Sequence, residues 1–591
     1  MNVSPLAVVA GTALLTFAVL AVAARFYQFS LFTHGLPVAV LAGVVAAAAS
    51  GTVSVWRGAA WVGVVVFFGS GVAVLSRGEG REFWRAVRSR LLFGVPWGTL
   101  VVVATIVAFY LFVQFGVRGT GSPLVVPFVS WSYFYPLGVV TAPFAHASLG
   151  HVTGNLVATL VLAPIVEYAI SHFPTERGAS SFGSWRTNPY VRAFVLVPLG
   201  IAFVSLLTGL FSWGATIGFS GVVFAFAGFA LVRYPLATVV AVVAQDVLAL
   251  LWSVLRDPIT FASVSPSFSP PWWAGISVQG HLFGFLVGAV LAALLLARRD
   301  ERPSAARVWF GSVVIATSLS LWAVWWYGRS VDYVLYRSLG VLLVVALALV
   351  LTAAVRADET TIARDLTGRK AAVVLLLLPV VTMSMVAVPI NLTTVEDAEL
   401  AGDPVEIRGY EVTYAEDVQN ERVAAVQLPL FAQATNVSAS GVIVASDSRT
   451  IWTERVSAGE LAFFGDSAVT VGGVGWEETV WAHRRGWVPR GGNPVYNVYL
   501  QPPGSDWRPV FASNSSTADP VVTGRQVRID AMDGRFAVEV VRNDSVLGTA
   551  RIPAVNESTT AGGLTFVRQE QKLLAERGNT TVTVATRETY E

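Results

Sequence analysis

Gly218-Phe219-Ser220-Gly221 places a serine between small residues at the mouth of an apolar run, Val222 to Val232, which carries no charge before Arg233. A hydroxyl there would stand at a helix N-terminus. Free amide N–H groups at that point can meet developing negative charge, and the glycines let a neighbouring backbone approach closely. The chemistry this suggests is nucleophilic attack by Ser220. Ordinary helix packing in a membrane produces the same small-residue pattern, and Val222 stands where the soluble-hydrolase elbow G-x-S-x-G has its second glycine. A serine nucleophile therefore needs a base elsewhere in the chain.

The histidines are His34, His146, His151, His172, His281 and His483. His281 opens the apolar segment Gly280-His281-Leu-Phe-Gly284-Phe-Leu-Val-Gly288, in which positions 281, 284 and 288 share one helical face. The two glycines would let that face press against Ser220, Phe224, Ala227 and Gly228 of the serine segment. A serine and an imidazole brought together in this way make an activated nucleophile. The competing reading is a histidine that caps a helix and bonds a backbone carbonyl. In His146-Ala-Ser-Leu-Gly-His151-Val-Thr-Gly-Asn155, His151 and Asn155 are four apart and lie one above the other on a helix. At the depth of Ser220 they could donate to an oxyanion together with the Ser220 backbone N–H. A metal site is disfavoured, because no acid or thiol sits near these histidines and asparagine is not a usual zinc ligand. Asp246 is the one acid nearby that could be offered as a third member; a paired or snorkelling acid is its ordinary explanation.

The elements that would position these groups are membrane helices. Of 591 residues, 54% are hydrophobic and 13% charged, a balance that implies a polytopic membrane protein with something attached. There is no cysteine, so disulfides and thiolate sites are excluded. Apolar runs at Leu6 to Ala24, Leu36 to Val55 and Ala59 to Leu75 come first. A cluster follows with Arg77, Arg81, Arg85, Arg88 and Arg90, which the positive-inside rule assigns to the cytoplasm. From there spans are expected at Leu92 to Phe115, Leu149 to Ile170, Tyr190 to Phe211, Ser220 to Arg233, Leu236 to Leu255, Gly280 to Ala297, Val308 to Tyr327, Val334 to Ala354 and Ala371 to Val388. The total is about twelve. The Ser- and Pro-rich segment Asp257 to Gln279, with Trp272 and Trp273, suits a lid or an interfacial anchor.

After Ile390 the chain changes character and is acidic by about nine charges. Alternating stretches at Val405 to Tyr414, Val442 to Ala445, Tyr496 to Leu500, Gln526 to Ile529 and Phe536 to Val541 predict a mainly β, sandwich-like domain. Asn391, Asn436, Asn514, Asn543, Asn556 and Asn579 each begin an N-x-S/T sequon, which suits an extracytoplasmic location.

With TAPFAHASLGHVTGN (Thr141 to Asn155), Glu167, GFSGVVFAFAGFALVR (Gly218 to Arg233) and GHLFGFLVG (Gly280 to Gly288) in view, the chain resembles the rhomboid family of intramembrane serine proteases. The resemblance covers Leu92 to Arg299. It implies a six-helix core within an all-α polytopic membrane protein, cleaving membrane-anchored proteins in or beside their transmembrane segment with a Ser-His dyad. By it, Ser220 is the nucleophile, His281 the base and then acid, and His151 and Asn155 are oxyanion donors, with Gly218 and Phe219 in the same oxyanion and substrate-binding group. His146, Phe224, Gly284 and Gly288 support them. Two departures stand out: Trp131 lacks the arginine usually beside it, and Phe224 replaces a common tyrosine.

The expected organisation is then 1–91 as extra helices with a basic loop, 92–299 as the core, 300–390 as further helices and 391–591 as the β domain. The expected setting is the cell membrane, with a transmembrane protein substrate and no cofactor, metal or nucleic acid. A non-proteolytic relative that binds or escorts client proteins is the alternative. A transporter is disfavoured, because the polar residues cluster at one outer depth and no inverted repeat is evident.

Overall fold

In a computed structural model the described residues are 36–591, except 117–121, 175–176, 257–267, 300, 329–332, 358–359, 364–365, 422–437, 533 and parts of 52–79 and 394–402. The expected span Leu6 to Ala24 lies outside them, as does nearly all of Ala59 to Leu75. The chain divides into two compact units, one formed by 1–101, 157–199 and 236–265, the other by 102–156, 200–235 and 266–591.

The helices are α1 (Leu36–Ala49), α2 (Gly80–Arg90), α3 (Trp97–Ala108, extended by a π-helical turn Phe109–Val113), α4 (Pro136–Thr141), α5 (Leu149–Ile170), α6 (Pro189–Phe211), α7 (Ser220–Arg233), α8 (Pro235–Arg256), α9 (Val278–Arg299), α10 (Ala305–Ser318), α11 (Arg337–Arg356), α12 (Gly368–Asn391) and the short α13 (Ala458–Phe464). Five of them, α5, α6, α9, α11 and α12, are long and apolar enough to cross a membrane. The helix α7 is shorter. Its 14 residues rise about 21 Å at 1.5 Å each, roughly 9 Å less than a hydrocarbon core of about 30 Å.

The first unit shows why Glu167 is tolerated in an apolar helix. Its carboxylate accepts the Gly98 and Thr99 N–H groups, each at 2.8 Å, and the Thr99 hydroxyl at 2.7 Å, so it caps the orphan donors that open α3. His172 Nε2 donates to it at 2.7 Å, while Nδ1 accepts from the Leu92 N–H at 2.9 Å, which fixes the tautomer.

One expected span is corrected. Val308 to Tyr327 is not a single helix: α10 ends at Ser318, Ser320 adopts φ +58, and β1 (Trp325–Tyr327) pairs with β2 (Tyr333–Leu335) as an aromatic hairpin. Tryptophan and tyrosine count as apolar and so extend the run read as a span, yet they favour strands and stack edge to face, as Trp325 does on Tyr327 and Tyr333. The run Leu36 to Val55 also shortens, to α1.

The remaining strands begin with a small hairpin of β3 (Thr361–Ala363) and β4 (Leu366–Thr367), followed by β5 to β20 from Val405 to Arg587. The expected stretch Val405 to Tyr414 is two strands, β5 (Val405–Ile407) and β6 (Tyr410–Gln419). Arg408 and Gly409, at φ 47 and 81, make a two-residue turn between the paired Ile407 and Tyr410. Positive φ at both centres is the turn whose twist suits a hairpin.

The long β10 (Trp476–Pro489) organises the domain. It pairs with β9 (Asp466–Gly473) over its first half, with β11 (Val495–Gln501) from Trp481 to Trp487, and with β20 (Thr580–Arg587) at its end. Two cores result. One lies between the sheet β5-β6-β7-β8, in which β7 is Ser438–Ser446 and β8 is Ile451–Ser457, and strands β9 to β11, around Tyr410, Tyr414, Val444, Val480 and Val498. The other lies between a sheet of β13 (Ser516–Val522), β14 (Arg525–Met532), β15 (Arg535–Arg542) and β16 (Ser545–Arg551) and the strands β17 (Ser558–Ala561), β18 (Leu564–Gln569), β19 (Lys572–Arg577) and β20, around Ile529, Val538, Phe566 and Leu573.

Candidate active site

The face-sharing glycines do what their spacing implies. A Cβ on Gly284 would fall on the Gly221 carbonyl, one on Gly288 on the Ala225 carbonyl, and one on Gly228 on the Phe285 carbonyl, so α7 and α9 touch backbone to backbone. That contact brings Ser220 Oγ and His281 Nε2 to 2.8 Å. Phe224, one turn on, stacks on the imidazole with ring centroids 4.2 Å apart and planes within 12°. His281 Nδ1 is buried and has no hydrogen-bond partner among the described residues, so no carboxylate completes a triad there. Stacking and helix packing orient the ring.

Gly218 holds φ +117, a conformation that glycine accepts and other residues resist. A Cβ at Gly218 would strike the His151 ring and come to 3.5 Å from Asn155 Nδ2, so both side chains cover this glycine, two residues ahead of Ser220. Asn155 is buried at 8% exposure. His146 is fully buried; its ring meets His151 edge to face at 5.0 Å, its Nδ1 donates to the Phe144 carbonyl at 3.1 Å, and the Phe219 N–H reaches its Nε2 at 3.5 Å. Ten of the residues named from the sequence thus come together: Ser220 and His281 in contact, His151 and Asn155 over Gly218, His146 against Phe219, and Phe224, Gly284 and Gly288 at the helix seam; Asp246 and Glu167 belong to the other compact unit. A cleft of about 30 Å³ opens on Ser220 and His281, lined also by Pro143, Thr208, Ser212 and Ile217.

Sequence reasoning missed the polar frame around it. Gln114, fully buried just after α3, accepts the His146 N–H at 2.8 Å and donates to the carbonyls of Leu124 (2.8 Å) and His146 (2.9 Å). Gln279 accepts from the Trp213 N–H at 2.9 Å and donates to the Phe211 carbonyl at 2.9 Å, tying the start of α9 to the end of α6. An uncharged amide inside or beside an apolar run was the available signal, by the same logic that singled out the histidines.

The loop before the helix α4 links the site to the β domain. Val126, Val129 and Trp131 are buried in the same core as Tyr410, Val444 and Val480, and Ile217 packs against that core. Ser130 N–H donates to the Thr216 carbonyl at 3.0 Å, with the two hydroxyls 2.9 Å apart. Trp131 donates through Nε1 to the Val126 carbonyl at 2.7 Å. From the segment expected as a lid, residues 268–279 are described. Phe268 packs on Phe463 and Phe464 of α13, and Trp273 on Tyr333.

Asn391 corrects one sequon. It is 4% exposed, its Oδ1 accepts the Gly214 N–H at 3.2 Å, its Nδ2 donates to Leu210 and Ser212 carbonyls, and its own carbonyl takes the Tyr133 N–H at 2.8 Å. An amide so engaged cannot carry a glycan, whereas Asn514, Asn543, Asn556 and Asn579 are exposed; Asn436 lies outside the described residues.

Among the described residues no cluster of three or more histidine, aspartate or glutamate side chains is arranged to hold a metal. Compared with known proteins, residues 134–298 match the model of the Rhomboid domain. Curated proteins and solved structures give no match.

Proposed function

We propose that this chain, which belongs to the rhomboid family of membrane proteins, is a serine endopeptidase that cleaves membrane-anchored proteins in or near their transmembrane segment. The observation that carries the reading is the Ser220–His281 hydrogen bond, made between two helices that meet backbone to backbone.

In this reading His281 Nε2 takes the Ser220 proton as Oγ attacks the scissile carbonyl, with the Nδ1 proton in place throughout. The tetrahedral oxyanion is received by the side chains of His151 and Asn155 and by the N–H groups at the start of α7. His281 then gives its proton to the leaving amine, and water hydrolyses the acyl-enzyme with His281 again as base. Without an acid behind the imidazole, turnover is slow. The cleft of about 30 Å³ has room for a water or two rather than a peptide, so binding substrate requires it to widen.

The wider reading places the protease core at 92–299, with about twelve spans in all and the β domain of 391–591 extracytoplasmic in the cell membrane. The domain shares a core with the 126–131 loop, and its connection at Asn391 meets the loop that precedes α7; both support a position on the Ser220 side. The test is a fluorophosphonate probe on the intact protein, which should label the wild type and not Ser220→Ala. A folded wild type that takes no label favours the client-binding alternative.

A further inference from the structure

Away from the dyad, a cleft of about 100 Å³ lies between α9, α11 and α12 at the end of the helices opposite Ser220. Its walls are apolar, formed by residues such as Ala293, Leu351 and Leu376, while Glu301, Arg302 and Arg369 stand at its mouth. The carboxylate of Glu301 is engaged by Arg233. Arg302 is exposed and has no ion pair or hydrogen bond among the described residues. Among the described residues that line it, the mouth therefore carries one acid, held by Arg233, against two bases over a greasy slot.

In a bilayer an apolar slot at this depth is filled by an acyl chain, since water gains nothing there. Two guanidiniums at its rim then decide which headgroup sits above that chain. A guanidinium matches phosphate oxygens, and each basic residue near a membrane surface favours anionic over zwitterionic lipid. The same end of the molecule carries Arg298, Arg299, Arg307, Arg356 and Lys370, the charges that the positive-inside rule assigns to the leaflet where anionic lipids collect. We propose that this cleft is a binding site for one anionic phospholipid, its phosphate at Arg302 and Arg369 and an acyl chain lying between α9, α11 and α12. The lipid would join α9, which bears His281, to the helices that follow the core. The proposal does not depend on the protease reading.

The test uses the full-length chain, delipidated in detergent and offered an equal mixture of phosphatidylglycerol and phosphatidylcholine carrying the same photoactivatable acyl chain, with crosslinks mapped by mass spectrometry. Phosphatidylglycerol should exceed phosphatidylcholine on the order of tenfold within 289–297 and 372–376. The preference should fall to parity in Arg302→Glu/Arg369→Glu. Equal crosslinking of both lipids by the wild type, or no crosslinks in these segments because protein covers the cleft, would overturn it. So would displacement by glycerol phosphate at the lipid's own concentration, the mark of a free-anion site. Should the double variant fail to fold, Ala293→Trp fills the slot and leaves both arginines. It should abolish the crosslinks, and their persistence would equally overturn the proposal.

Discussion

Ser220 Oγ lies 2.8 Å from His281 Nε2 although 61 residues separate them in sequence. Helix packing and the Phe224 stack set this distance, because Gly284 and Gly288 on one helix and Gly228 on the other let the two backbones touch.

Gly284→Val should therefore act on the chemistry from a distance. The added side chain has to displace the Gly221 carbonyl, and a shift of about 1 Å between α7 and α9 costs roughly a hundredfold in rate. Cleavage of a membrane-anchored substrate and the melting temperature of the same preparation check it. Both should fall, whereas an exposed control such as Gly154→Ala, where an added Cβ meets open space, should leave both nearly unchanged.

Asn155→Ala separates catalysis from packing. If Asn155 donates to the oxyanion, turnover should drop roughly a hundredfold or more, about 3 to 4 kcal/mol at the transition state, with little change in thermal stability. Donors to one oxyanion act as a unit, so the double substitution with His151 should be non-additive. A packing role would instead lower stability and leave the rate per folded molecule intact.

The site residues were legible in the sequence because helical periodicity is a local rule. Positions 281, 284 and 288, or 151 and 155, fall on one face whatever surrounds them. The hairpin at Trp325 was not legible, because hydropathy scores aromatic residues alike in helix and strand. The burial of Trp131 in the core that it shares with Tyr410 was not legible either, since nothing local records which loop a distant sheet will cover. Asn391 was read as a sequon because its partners, Leu210, Ser212 and Gly214, are about 180 residues away in sequence.

Trp131→Ala tests that burial. Removing a tryptophan from the core shared by the 126–131 loop and the β domain should cost about 3 to 5 kcal/mol. Hydrogen exchange should rise both in that loop and around Thr216, which Ser130 holds. Exchange confined to the β strands would show that the loop stands without the domain.

Sidedness is checked with single cysteines, which meet no background thiol in this chain. Ser515→Cys and Ser304→Cys are both at exposed positions. An impermeant thiol reagent applied to intact cells should modify the first and not the second. The reverse pattern would put Ser220 at the cytoplasmic face.

The central claim is that Ser220, activated by His281, is the nucleophile. Purified full-length protein should take up a fluorophosphonate probe and cleave a membrane-anchored substrate, with the adduct mapped to Ser220 by mass spectrometry. Ser220→Ala and His281→Ala, each retaining the wild-type melting temperature within a few degrees, should lose both labelling and cleavage. Cleavage that persists in folded Ser220→Ala, or an adduct on any other residue, would contradict the account.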